Sequence, residues 1–110
     1  MALNKKSEFP AEMRLAELAK TLSHPARISI LKILAERDTC VCGEIVDALP
    51  LAQSTVSQHL KELKAVGLVQ GEIDGPKSCY CINWEAVEEL RELLGLLFAG
   101  LEKANREKCC

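Results

Sequence analysis

Six cysteines stand in three close pairs: Cys40 with Cys42, Cys79 with Cys81, and Cys109 with Cys110. Thiols at such short spacing can hold a soft metal or metalloid, close to disulfides, or exchange with other thiols. In an exported chain they would read as a disulfide framework. The N-terminus, Met1-Ala2-Leu3-Asn4-Lys5-Lys6, carries basic residues with no apolar stretch behind them, so no signal peptide is expected. The expected location is cytoplasmic, where thiols stay reduced and metal, metalloid or redox chemistry is the better assignment. Spacing decides which cysteines can cooperate. In a regular helix, residues i and i+2 lie about 200° apart, so Cys40 and Cys42 can share a ligand only in an entering or distorted turn. Cys79 and Cys81 fall in a stretch of strand character, where alternate residues point to one face. Cys109 and Cys110 end a polar tail, Asn105 to Cys110, that spans about 20 Å when extended.

A second group is polar and neutral. Gln53, Ser54, Thr55, Ser57, Gln58 and His59 open a segment whose apolar positions are Val56, Leu60 and Leu63. Such side chains at a helix start can reach base edges in a major groove. Lys61 and Lys64, further along, can reach phosphates. Lys77, at the tip of a turn-rich stretch, is a further backbone contact, opposed by Glu72 and Asp74 nearby. His24 precedes Pro25 and is read as a structural residue at a helix start.

These groups need elements to hold them. Pro10 followed by Leu15, Leu18, Ala19 and Leu22 has helical spacing, giving a first helix from Pro10 to Thr21. Ser23-His24-Pro25 stops the chain and restarts it, with Ser or His as cap. Ile28, Leu31, Ile33 and Leu34 then mark a second helix ending near Arg37. Gly43 to Leu49 reads as a short third helix closed by Pro50, and Gln53 to Val66 as a fourth, with Gly67 as its C-terminal stop. Leu68 to Ile73 and Ser78 to Ile82 flank Asp74-Gly75-Pro76-Lys77 and predict a β-hairpin. From Trp84 helical spacing returns through Leu101, in a helix too apolar for the surface of a small monomer. Its Gly95 and Gly100 each cost about 1 kcal/mol relative to alanine, which a partner subunit would offset by packing. The expected fold is mainly α with a β-hairpin wing, in the order ααααββα. This is the order of a winged helix-turn-helix.

Composition sets the outer limits. A chain of 110 residues, 48% hydrophobic and only 4% aromatic, fits one domain with an aliphatic core. Its longest apolar run, Leu93 to Leu101, is far short of the ~18 residues of a membrane span. The net charge of −2 sits poorly with nucleic-acid binding until its distribution is considered. From Met1 to Ala35 six Lys or Arg face three Glu, and from Trp84 to Cys110 four face six. The acidity is concentrated away from the first basic stretch.

Three segments carry a family resemblance: Leu22-Ser23-His24-Pro25-Ala26-Arg27, Ser54-Thr55-Val56-Ser57-Gln58-His59-Leu60, and Gly67-Leu68-Val69. Together they resemble the ArsR/SmtB family of arsenic- and metal-responsive repressors, over about Ala16 to Trp84. Cys40-Val41-Cys42 resembles the motif of the arsenic-sensing branch, at the start of that family's third helix. The resemblance implies a homodimer formed through the first and last helices, with residues 10–21 and 84–104 as dimerisation helices. It implies a helix-turn-helix over 43–66, a wing over 68–82 and a flexible tail over 105–110. It also implies repression of a resistance operon from double-stranded operator DNA, an imperfect inverted repeat, and release when an inducer binds. His59 matches a DNA-contact position of the family. The chain departs from the family in lacking a third cysteine three residues after the second, where Ile45 stands.

Trivalent arsenic and antimony are soft and prefer thiolates, three for the inorganic ions and two for monomethylated arsenic. The expected ligands are Cys40 and Cys42 with Cys109 or Cys110, and Cys79 with Cys81 as a further set that otherwise simply fills wing positions. No organic cofactor is expected. Two alternatives keep the DNA-binding function: a redox or persulfide signal at the cysteine pairs, or a zinc, cadmium or lead site built from Cys40, Cys42, Cys79 and Cys81. The latter lacks the C-x₂-C spacing of structural zinc. A small thiol enzyme or a metallochaperone is the reading from other classes. The enzyme lacks a C-x-x-C pair and a phosphate-cradling loop, and the chaperone leaves the recognition helix without purpose.

Overall fold

The computed structural model describes residues 9–37, 40–42, 49–73 and 78–107. The elements are α1 (Pro10–Thr21), α2 (Pro25–Ala35), β1 (Val41–Cys42), α3 (Gln53–Ala65), β2 (Val69–Glu72), β3 (Cys79–Ile82) and α4 (Trp84–Glu107). The helical elements, the hairpin and their order agree with the sequence reading. The helix expected over Gly43 to Leu49 falls on residues 43–48, which lie outside the described residues, as do Lys77, Cys109 and Cys110.

Local chemistry explains each boundary. Proline opens both α1 and α2, and His24 before Pro25 is extended, as the residue preceding a proline must be. The expected cap at this joint is corrected. Neither Ser23 nor His24 caps α2 through its side chain; Ser23 Oγ instead donates to the Lys20 carbonyl at 2.7 Å and closes α1. The end of α3 is a Schellman motif: Leu68 N–H donates to Leu63 O at 3.0 Å and Gly67 N–H to Lys64 O at 2.9 Å. Gly67 takes φ +89°, a conformation that a side chain disfavours. Leu63 and Leu68, the two positions that carry the apolar part of this motif, are both fully buried.

The wing gains a strand. β2 and β3 form the expected antiparallel hairpin, and β1 adds to the free edge of β3, giving the order β1-β3-β2. Val41 pairs with Tyr80 and Cys42 with Cys79 across β1–β3. Cys40-Val41-Cys42, likened above to a motif at the start of a helix, is corrected on this point: Val41 and Cys42 form a strand of the sheet, with Cys40 directly before it. Gly71, opposite Tyr80 on β2, has φ +118°. A Cβ there would overlap the Cys79 carbonyl oxygen and lie 2.9 Å from Tyr80 Cα, so the hairpin closes only over glycine.

The core joins Leu18 of α1, Ile30 and Leu34 of α2, Val56, Leu60 and Leu63 of α3, and Val69, Tyr80 and Ile82 of the sheet. Each fully buried aliphatic side chain contributes about 1.5–3 kcal/mol relative to exposure. Only the first half of α4 takes part. Val87, Leu90 and Leu93 pack against this core, whereas residues 95–106 are exposed throughout. The helix continues through Glu107, three residues into the segment read as a polar tail. Among the described residues no helix is long and apolar enough to cross a membrane.

Candidate nucleic-acid interface and thiol pair

α3 presents two faces. Val56, Leu60 and Leu63 are buried, and this i, i+4, i+7 spacing leaves Gln53, Ser54, Thr55 and Gln58 exposed along the first two turns. No acidic residue occupies the first turn, so the positive end of the helix dipole stays open to an anion such as a phosphate. Ser57 and His59 are half-buried at the margin of this face. Gln58 Nε2 lies 3.4 Å from Glu62 Oε2, one turn on.

The two expected phosphate contacts lie on the later turns of α3. Lys61 and Lys64 are both exposed. Lys64 Nζ donates to the Gly71 carbonyl, tying the end of α3 to β2. Its charge thus serves the angle between helix and wing.

His59 and His24 occupy one place in the fold. His59 Nδ1 accepts a hydrogen bond from Arg27 Nε at 3.0 Å, and the two imidazole centroids are 5.7 Å apart. Burial, then the charge of Arg27, then His24 push the His59 pKa down. A neutral imidazole is what the Arg27 donor requires, because only a neutral ring offers an acceptor nitrogen. His59 therefore links α3 to α2, with Arg27 also donating to the Thr21 carbonyl at 3.1 Å. The sequence reading of His59 as a DNA contact missed this internal bond; its signal is that Arg27 and His24 share one of the quoted segments.

A second internal link was also missed. Arg14 of α1 donates through Nε and Nη2 to the two carboxylate oxygens of Glu89 on α4, at 3.0 and 2.9 Å. Nη2 also reaches the Val66 carbonyl at the end of α3, at 3.0 Å, and Nη1 reaches Glu17 at 2.8 Å. One guanidinium thus holds α1, α4 and the C-terminus of α3 together. Its hydrogen bonds depress the Glu89 pKa and raise that of Arg14 above its ordinary value. Lone Arg and Glu residues 75 positions apart leave no sequence signal.

The cysteines divide. Cys40 lies directly before β1, and the β1–β3 register continues to Cys81, with Cα atoms 4.4 Å apart and the two sulfurs joined as a disulfide. This is the Cα spacing of a directly opposed, non-hydrogen-bonded antiparallel pair. Cys79 and Cys81 share one face of β3, while Tyr80 and Ile82 point to the core, as the strand spacing predicts. Cys79 is also disulfide-bonded, so neither β3 cysteine is a free thiol. Cys42 faces Cys79 in the backbone register. Gln70 Nε2 sits 3.9 Å from Cys81 Sγ. A cavity of about 230 Å³ beside the pair is lined by Leu34, Arg37, Gln70, Ile82 and Trp84. Among the described residues, no cluster of three or more metal-ligating side chains forms.

This arrangement can be set beside known proteins. Residues 24–70 match the family described as bacterial regulatory protein, arsR family. An uncharacterized HTH-type transcriptional regulator from Methanocaldococcus jannaschii is 39% identical over 82 residues, covering 74% of this chain and 91% of that one. The HTH-type transcriptional repressor SmtB of Mycobacterium tuberculosis is 50% identical over 64 residues, which are 58% of this chain but only 47% of that protein. The arsenical resistance operon repressor of Staphylococcus xylosus is 30% identical over 83 residues, covering 76% and 79%. An ArsR-like transcriptional regulator from Rhodococcus sp. RHA1 shares the fold, with a TM-score of 0.72 over 87% of this chain and 90% of that one, at 23% identity. These relatives are regulators of transcription and not enzymes. With its helix-turn-helix, wing and matching segments, the chain belongs to the ArsR/SmtB family of DNA-binding transcriptional regulators.

Proposed function

We propose that this protein is a homodimeric repressor that leaves its operator when trivalent arsenic or antimony, inorganic or methylated, binds cysteine thiolates on β1 and β3. The observation that carries the reading is the position of Cys40 opposite Cys81, directly before the strand β1 that precedes α3 in the chain. Two thiolates at that spacing satisfy two valences of a trivalent metalloid. Cys42, Cys79, Cys109 or Cys110 supplies the third for an inorganic ion. With arsenious acid, each thiol that bonds releases one water, and arsenic stays trivalent. Pulling β1 toward a metalloid shifts the segment before α3, and α3 carries the base-reading side chains Gln53, Ser54, Thr55, Ser57 and Gln58. Lys61 and Lys77 add contacts to the DNA backbone, and Lys64, tied to the Gly71 carbonyl, adds a partial one.

The dimer in this proposal uses α1 and α4. Met13, Leu96, Leu97, Phe98 and Leu101 are exposed large apolar side chains on these two helices. A groove lined by Ala11, Leu15, Leu93, Leu96 and Leu97 runs between them. A cytoplasmic chain would bury such a face against a second copy. Two-fold symmetry then sets the recognition helices about 34 Å apart, in successive major grooves of an inverted repeat.

A second reading, release on oxidation, is favoured by the Cys40–Cys81 disulfide itself. One experiment separates the two. Fluorescence anisotropy on an operator selected from random duplex DNA is followed for reduced protein, titrated with arsenite, zinc or the thiol oxidant diamide. Release by arsenite in wild type and not in Cys40→Ser or Cys81→Ser supports the arsenic reading. Release by diamide alone supports the redox reading, and release by zinc alone overturns both.

A further inference from the structure

The cavity beside Cys40 and Cys81 shares two wall residues with a neighbouring groove. These are Ile82 and Trp84, and the groove, larger at about 420 Å³, lies between α2 and α4, with Ile28, Leu31, Val87 and Leu90 among its other walls. Among the described residues that line it, Lys32 alone is charged. The volume falls in the range of small-molecule sites. Trp84 is 60% exposed and Ile28 47% exposed, so the groove opens at its rim although its floor is core.

We infer that this groove receives the organic substituent of a trivalent metalloid whose metal centre is held by Cys40 and Cys81. The inference rests on the thiol-sensing reading above and specifies its ligand: a soft, thiol-reactive centre bearing one apolar group. Two thiolates leave one valence of a trivalent metalloid, and an organic group on that valence starts in the first cavity beside Ile82 and Trp84. An inorganic ion carries hydroxide or a third thiolate there and gains nothing from an apolar wall. The chemistry balances without outside electrons once the thiols are free: an organoarsenic oxide, R–As=O, and two thiols give R–As bonded to both sulfurs and one water. Freeing them takes two equivalents of a low-molecular-weight thiol, which leave as their own disulfide while each cysteine gains a proton.

The test uses the reduced full-length chain with phenylarsine oxide and arsenite as probes, each measured by calorimetry in competition with dithiothreitol. Trp84→Ala and Ile28→Ser change exposed positions, so both variants are expected to fold. Each should weaken phenylarsine oxide about tenfold, as loss of a buried ring contact predicts, and leave arsenite within about twofold. Phenylarsine oxide should also quench the emission of wild type, in which Trp84 is the only tryptophan. Equal shifts for the two probes, or no shift for either, would overturn the inference. So would loss of the dimer in both variants by sedimentation, since the groove would then belong to a second copy. Undiminished binding of both probes to a Cys40→Ser, Cys81→Ser variant would instead overturn the thiol-sensing reading on which the inference stands.

Discussion

Cys40 and Cys81, 41 residues apart in the chain, face each other across β1 and β3 and are joined through sulfur. The bond fastens the segment before β1 to the wing strand β3, so the oxidation state of one pair bears on how the two are held together. Cys81→Ser leaves Cys40-Val41-Cys42 intact. The expected outcome is a repressor with wild-type operator affinity under reducing conditions that needs at least about tenfold more arsenite for release, read by anisotropy. Unchanged release would return the sensor to the Cys40-Val41-Cys42 segment with the chain-end cysteines.

The Arg14–Glu89 pair gives the fold an acid-sensitive joint. The folded-state pKa of Glu89 lies below its ordinary value, so its contribution to stability is present above about pH 4.5 and is lost as pH falls through the depressed value. Glu89→Gln should lower the thermal midpoint by roughly 2–5 °C at pH 7, and the gap to wild type should close toward pH 3. A gap that stays constant with pH would show that the carboxylate charge plays no part.

His59 works in the neighbouring pH range with its own sign. Its folded-state pKa is lowered, so the unfolded chain takes up the proton more readily, and stability declines as pH falls below about 6.5. Protonation also removes the acceptor for Arg27 Nε. Between pH 7.5 and 5.5 the urea midpoint of wild type should fall, and His59→Asn should flatten that fall, with nuclear magnetic resonance reporting the His59 titration directly.

The recognition helix should separate affinity from discrimination. Gln58→Ala is expected to reduce the ratio of operator to random-DNA affinity about tenfold, since base-edge contacts carry sequence information. Lys64→Ala is expected to weaken both DNAs alike, with a salt dependence changed by less than one full phosphate contact, because its ammonium already serves the Gly71 carbonyl. A full unit of slope lost in Lys64→Ala would make that lysine a direct phosphate ligand.

The exposed end of α4 should report the oligomer. Leu97→Lys with Leu101→Lys changes two side chains that are 43% and 58% exposed in the single chain, so the monomer fold should survive. Light scattering should then fall from twice the 12.1 kDa chain mass to the chain mass, with operator affinity reduced at least about a hundredfold. A monomeric wild type would refute the dimer.

Much of the architecture is legible without coordinates, because helix and hairpin signals are local. Pro10 and Pro25 mark helix starts, Gly67 marks a C-terminus, and Val56, Leu60 and Leu63 set the buried face of α3, which in turn exposes Gln53, Ser54, Thr55 and Gln58. The alternation of Cys79, Tyr80, Cys81 and Ile82 likewise states which pair faces outward. By contrast, two residues are too short a stretch for Val41–Cys42 to announce a strand. Only pairing with β3 makes this stretch a strand.

Which cysteines meet, and which charges serve the fold, depended on tertiary structure alone. Composition and spacing determined that the chain is a small aliphatic domain of helices and one β-hairpin with paired thiols, because each of those properties is written in residues close together. The partnership of Cys40 with Cys81, of Arg14 with Glu89 and of Arg27 with His59 joins residues 41, 75 and 32 positions apart. No local period encodes such distances. They arise when core packing fixes the helices and sheet in one arrangement, which sets Cys40, expected to act with Cys42 and a chain-end cysteine, opposite Cys81.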